Sequence, residues 1–220
     1  MLKNHLSVLE LDLPEEMQYS VIFRNAKDKD KFIKRTEQII RSSMEYRDYI
    51  VFLRENVDMT KCAFFNAVSN EQGKRIRIEI HHAPFTLYDY VKAVVERFES
   101  EGLPLNDLLI ANEVMELHYN NQVGLIPLSK TIHEMVHNSD KIPIPLNMIY
   151  GDYRSFLASD KYSSLEQIDY LYDKLEIEIA KTKAITPETF DAIKKEFKYI
   201  NIEDATPVEK RELIEKSEVA

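Results

Sequence analysis

The sequence contains a single cysteine, Cys62, in 220 residues. That excludes an internal disulfide and any zinc site built from several cysteines, and it fits a reducing compartment such as a cytoplasm. No uninterrupted apolar run approaches the roughly 18–20 residues of a membrane span. Residues 1–5 also lack the apolar stretch of a signal peptide. The chain therefore reads as soluble and cytoplasmic, with no membrane partner. An excess of basic residues is missing too. A net charge of −9 argues against a broad, nonspecific grip on nucleic acid, which comes from a basic face. A local basic patch is still allowed, because a site is decided by its own neighbourhood. Neither an internal repeat nor a low-complexity linker is visible.

What is present is an ordinary globular composition, 44% hydrophobic and 30% charged, long enough for one sizeable domain or a core with appendages. Residues 5–13 alternate in part like a half-buried strand, and residues 19–23 read as a second strand. From Lys27 the pattern turns helical, with Phe32, Ile33, Ile39, Ile40 and Met44 on one stripe. Lys27, Lys29, Lys31, Lys34, Arg35 and Arg41 form the densest basic group. Such a group reads first as a solvated helix face laced with acids, with phosphate contact as the alternative. The apolar run 49–53 fits either element type. Residues 62–68 and 75–80 flank a loop at Gly73 and suggest a β-hairpin. Thr86 and Asp89 spell a capping box for a helix to Ser100, stopped by Gly102. Asn106 caps a second helix that ends near His118. Ser163 and Glu166 suit a capping box for a helix to Lys183, and Thr186-Pro187 and Thr206-Pro207 open two further helices.

The pattern predicts an α+β chain that starts with a β-rich portion: an N-terminal α/β scaffold portion (1–70), a core (71–150) and an acidic helical C-terminal region (151–220). That last region offers a surface for a protein partner.

Five of the six histidines lie between positions 81 and 137. His133 and His137 are one helical turn apart on one face, a geometry that can clamp a metal ion. Alternation along 75–80 places Ile76, Ile78 and Ile80 on one face of a strand and Arg75, Arg77, Glu79 and His81 on the other. His81 and His82 then leave the strand's end in different directions. Read alone, His133-Glu134-Met-Val-His137 is a literal His-Glu-x-x-His, the zinc-peptidase pattern in which the glutamate activates water. That reading leaves His81 and His82 unexplained.

Taken together, Ile78-Glu-Ile-His-His-Ala-Pro84 and Val123-Gly-Leu-Ile-Pro-Leu-Ser-Lys-Thr-Ile-His-Glu-Met-Val-His137 resemble the HNH endonuclease family, in its colicin-DNase-like form. The resemblance implies a ββα-metal core with a helical insertion between its strands. It also implies metal-dependent hydrolysis of nucleic-acid phosphodiesters, DNA ahead of RNA. His82 would be the general base, and His81, His133 and His137 would hold one divalent ion. The ion would polarise the phosphoryl group. Histidine-rich ligation suits zinc or nickel, with magnesium or manganese as alternatives.

Gly124 stands where the family's asparagine is expected, and Asn120 or Asn121 is the nearest substitute for orienting the loop. His118, Arg75 and Arg77 complete the candidate substrate contacts, with a further metal ligand or a satisfied histidine at a helix end as the other readings of His118, and pairing with Glu79 or plain solvent exposure as those of Arg75 and Arg77. Small proteins of this kind are common in bacteriophages, which would place the chain in the host cytoplasm. A metal-stabilised structural or interaction protein without activity is the reading from a different class.

Overall fold

The structure, a computed structural model, describes residues 19–65, 77–138 and 142–185. Ten elements follow in order: α1 (Ala26–Ser42), α2 (Met44–Asn56), β1 (Ile78–His82), α3 (Leu87–Ser100), α4 (Asp107–Tyr119), β2 (Leu125–Ser129), α5 (Lys130–Asn138), a 3₁₀ turn (Leu146–Met148), α6 (Tyr153–Leu157) and α7 (Glu166–Lys183). The class is α+β, mostly helical, with one two-stranded antiparallel sheet. No helix among the described residues is long and apolar enough to cross a membrane.

The chain forms two compact units, each discontinuous in sequence. The first comprises Met1–Tyr49, Phe85–Val123 and Asp152–Tyr172, and in it α1, α3 and α4 pack on one another. Its helices begin and end where the local chemistry dictates. Asn25 caps α1 by accepting the Asp28 amide at 3.0 Å. At α3 the Thr86 hydroxyl accepts the Asp89 amide while the Asp89 carboxylate accepts the Thr86 amide, a complete capping box. Asn106 caps α4 by accepting the Leu108 and Leu109 amides.

Both α3 and α4 stop in the same way. The Leu103 and Gly102 amides reach back to the Phe98 and Glu99 carbonyls, and the Gln122 and Asn121 amides reach back to Leu117 and His118. That pattern needs a left-handed residue after the helix. Gly102 (φ 66°) and Asn121 (φ 58°) supply it.

The second unit comprises Ile50–Pro84, Gly124–Gly151 and Asp173–Ala220. In it β1 pairs antiparallel with β2, from Ile78 opposite Ser129 to His82 opposite Leu125, and α5 packs against both strands. Its core gathers Cys62, Phe64, Phe65, Ile78, Ala83, Ile126, Leu128, Ile132, Ile142 and Ile144. Pro127 sits in mid-strand without breaking the ladder. Its carbonyl points away from β1 and accepts the Ala63 amide at 2.8 Å, so its missing N–H falls on an outer edge, where proline is tolerated.

Residues 19–23 form no strand; the Val21 amide instead donates to the Leu105 carbonyl at 2.8 Å. The described N-terminal portion is thus helical rather than β-rich, and the ambiguous run 49–53 lies within α2. The expected hairpin of 62–68 with 75–80 does not form among the described residues. β1 takes β2 as its partner, and Cys62 and its neighbours feed the core beside the sheet. α7 begins at Glu166, so Ser163 stands too far back to be the expected cap, and its hydroxyl donates to the Asp160 carbonyl. The strand expected over 5–13, the loop at Gly73 and the two helices after 185 lie outside the described residues.

The basic group on α1 is laced with acids. Lys29 pairs with Glu99, Lys34 with Asp30, Arg35 with Asp107 and Arg41 with Glu37. Pairing of this kind makes an ordinary solvated face and leaves less charge for phosphate.

Candidate metal centre

The alternation along β1 places Glu79 and His81 on the face that α5 covers, and it sends Ile78, Ile80 and His82 to the other. One turn of α5 separates His133 from His137, and both project toward β1. The result is a cluster of three imidazoles. Ring centroids lie 4.9 Å apart for His81–His133, 5.0 Å for His81–His137 and 4.6 Å for His133–His137. One ligand nitrogen from each comes within 4.8 Å of the others, and the Nε2 atoms of His133 and His137 are 3.1 Å apart.

Glu79 fixes the arrangement. Its Oε2 accepts from His133 Nδ1 at 2.6 Å, while its Oε1 holds Arg77 Nε at 3.2 Å. With the proton on Nδ1, His133 turns the lone pair of Nε2 into the cluster. His133 is half-buried and His137 exposed, so the cluster opens to solvent on one side.

Of the residues singled out in the sequence, the structure brings together His81, His133 and His137. The others have different surroundings. His82 is only 5% exposed and lies on the buried face of β1. His118 belongs to the first unit. It is buried, its Nδ1 lies 2.7 Å from the Val114 carbonyl, and it packs edge-on against the rings of Tyr46 and Tyr49. Burial pushes its pKa down to about 4, so it is a neutral core histidine at ordinary pH.

Asn121 serves as the left-handed stop of α4, and Asn120 caps the same helix. Arg77 is 76% exposed and paired with Glu79; Arg75 lies outside the described residues. Glu134, the would-be peptidase glutamate, is 59% exposed and faces Lys130 one turn away at 3.6 Å.

Two features of the site were not drawn out by sequence reasoning. Glu79 shares the strand face of His81, but its grip on His133 depends on the register of α5. Gly124 marks the other. A Cβ built there would lie 1.9 Å from the Ala83 carbonyl oxygen and 3.0 Å from Ile149 Cγ2, because the Ala83 amide donates to the Gly124 carbonyl at 3.0 Å across the end of the sheet. The position is reserved for glycine, and an asparagine, as in the endonuclease pattern, has no room.

Comparison with known proteins gives a different family from the one the motifs suggested. The profile of the bacteriophage G278-like virion protein family matches residues 3–216. No curated protein and no solved structure matches the chain. The match overturns the endonuclease function, because it covers nearly the whole sequence and points to a structural role, whereas the resemblance rested on two short motifs. The match lends no support to nucleic acid as a partner; the phage origin stands.

Proposed function

This chain belongs to the bacteriophage G278-like virion protein family, and we propose that it serves the phage particle as a structural subunit that binds other proteins of the particle. The observation that supports this reading beyond the family match is that the polar groups around the histidine cluster are paired with one another or buried. Glu79 is shared between His133 and Arg77, Glu134 is turned to Lys130, and His82 is on the buried face. A catalytic centre keeps a general base within reach of a bound reactant. Here the acids and the second histidine are engaged elsewhere, so the cluster reads as a fastening between β1 and α5.

The charge is consistent with protein partners. At −9 the chain has no electrostatic pull toward a polyanion. A stop codon early in the gene tests the role. In the absence of the protein, electron microscopy of infected cells should show particles missing or incomplete, with recovery when the chain is supplied from a plasmid. Particles of normal number, form and infectivity in its absence would contradict it.

A further inference from the structure

We propose that His81, His133 and His137 bind one divalent transition-metal ion, of the zinc class, which clamps α5 to β1, and that Glu79 is the outer-sphere carboxylate that orients His133. The inference stands on the second unit's geometry alone and does not depend on the role in the particle. Three imidazoles from two different elements converge, with ligand nitrogens within 4.8 Å of one another. A tetrahedral ion with nitrogens at about 2.0–2.1 Å sets neighbouring ligand nitrogens about 3.3 Å apart. The 3.1 Å between His133 Nε2 and His137 Nε2 is already close to that separation, and His81 needs only a side-chain adjustment to complete the trio.

Glu79 supplies what a chance cluster of surface histidines lacks. Metal-binding histidines usually donate their second N–H to a carboxylate or carbonyl, which fixes the tautomer and raises ligand basicity. His133 Nδ1 at 2.6 Å from Glu79 Oε2 is that arrangement. All-nitrogen donors select zinc, nickel or cobalt over magnesium or calcium, which prefer oxygen. Three protein ligands leave a fourth position on the solvent side, suited to water. Lys130–Asn138 is a nine-residue helix, shorter than helices that are stable on their own in water. A bond network from two of its turns to β1 would hold it in place.

The test is zinc binding to the full-length protein after chelator dialysis, followed by calorimetry and by cobalt absorption spectra. One ion per chain is expected, with a visible cobalt band of nitrogen ligation. Glu79→Gln should weaken zinc binding about 10–100-fold at unchanged stoichiometry, and His81→Ala and His133→Ala, which remove a ligand outright, should each weaken it by more than that. Glu134→Gln should bind as the wild type does. Should a histidine variant fail to fold by circular dichroism, the wild type still decides. Zinc must shift the imidazole NMR signals of His81, His133 and His137 and leave that of His118 in place. Absence of zinc binding, binding unchanged by His133→Ala, or zinc shifts that spare these three histidines would overturn the site. A Glu79→Gln variant that binds like the wild type would overturn the part given to Glu79.

Discussion

Gly124→Ala should lower the melting temperature by about 6–12 °C, a loss of about 3 kcal/mol, and Gly124→Asn by more. The added Cβ would sit 1.9 Å from the Ala83 carbonyl oxygen. Backbone atoms cannot give way as the end of a flexible side chain can, so the strand ends must separate. That separation would break the Ala83 amide bond to the Gly124 carbonyl and press on Ile149. Gly102→Ala is the comparison. Its φ of 66° disfavours alanine, but nothing lies within 4 Å of the new Cβ, so the cost should be only about 1 kcal/mol. Thermal unfolding followed by circular dichroism measures both. A Gly124→Ala variant no less stable than Gly102→Ala would mean that β1 and β2 do not meet this closely.

The second large effect is expected in the first unit at Glu113. Its carboxylate is buried and accepts from Arg97 at both guanidinium Nε and Nη2, from the Tyr162 hydroxyl and from Lys161 at 3.1 Å. Burial, and then the charge of Glu113, raise the Tyr162 pKa, so the phenol stays protonated and donates. Glu113→Ala leaves the Arg97 guanidinium, itself only 7% exposed, with the more exposed Glu101 at 2.6 Å as its ion-pair partner among the described residues. Breaking a buried pair from one side costs about 3–5 kcal/mol, because the surviving charge keeps its desolvation penalty. Removing both partners avoids that penalty. The double variant Glu113→Leu/Arg97→Met should therefore be more stable than Glu113→Ala alone, and urea unfolding of the two variants beside the wild type checks the order. Equal losses would show that the pair contributes packing and not charge compensation.

The parts of this molecule legible from sequence are those whose physics is local. Thr86 with Asp89, Asn106, and Gly102 after Ser100 each satisfy or end a helix within a few residues, and the structure places α3 and α4 accordingly. Strand pairing is not local. The run 62–68 lies closer in sequence to β1 than β2 does, and turn chemistry favoured it, but the partner that supplies Ile126 and Leu128 to the same core lies more distant along the chain. Residues 19–23 show the same limit: a short apolar run does not make a strand without an edge to join.

At the site, helical spacing groups His133 with His137, and the endonuclease resemblance is what adds His81 to them. They could not show that Glu79 would be spent on His133, or that His82 would be buried. Function was the least legible, because a histidine trio on a strand and a helix suits a catalyst and a fastening equally well. Gly124 pointed the right way. It departed from the endonuclease pattern, and the reason is a backbone contact that no motif encodes.

The central claim is that this protein is a built-in part of the phage particle. It is tested most directly by quantitative mass spectrometry of gradient-purified particles from the phage that encodes it. The chain should be present at a fixed copy number relative to the other particle proteins, and it should persist through high-salt washing. A chain abundant in the infected-cell lysate but missing from purified particles would contradict the account.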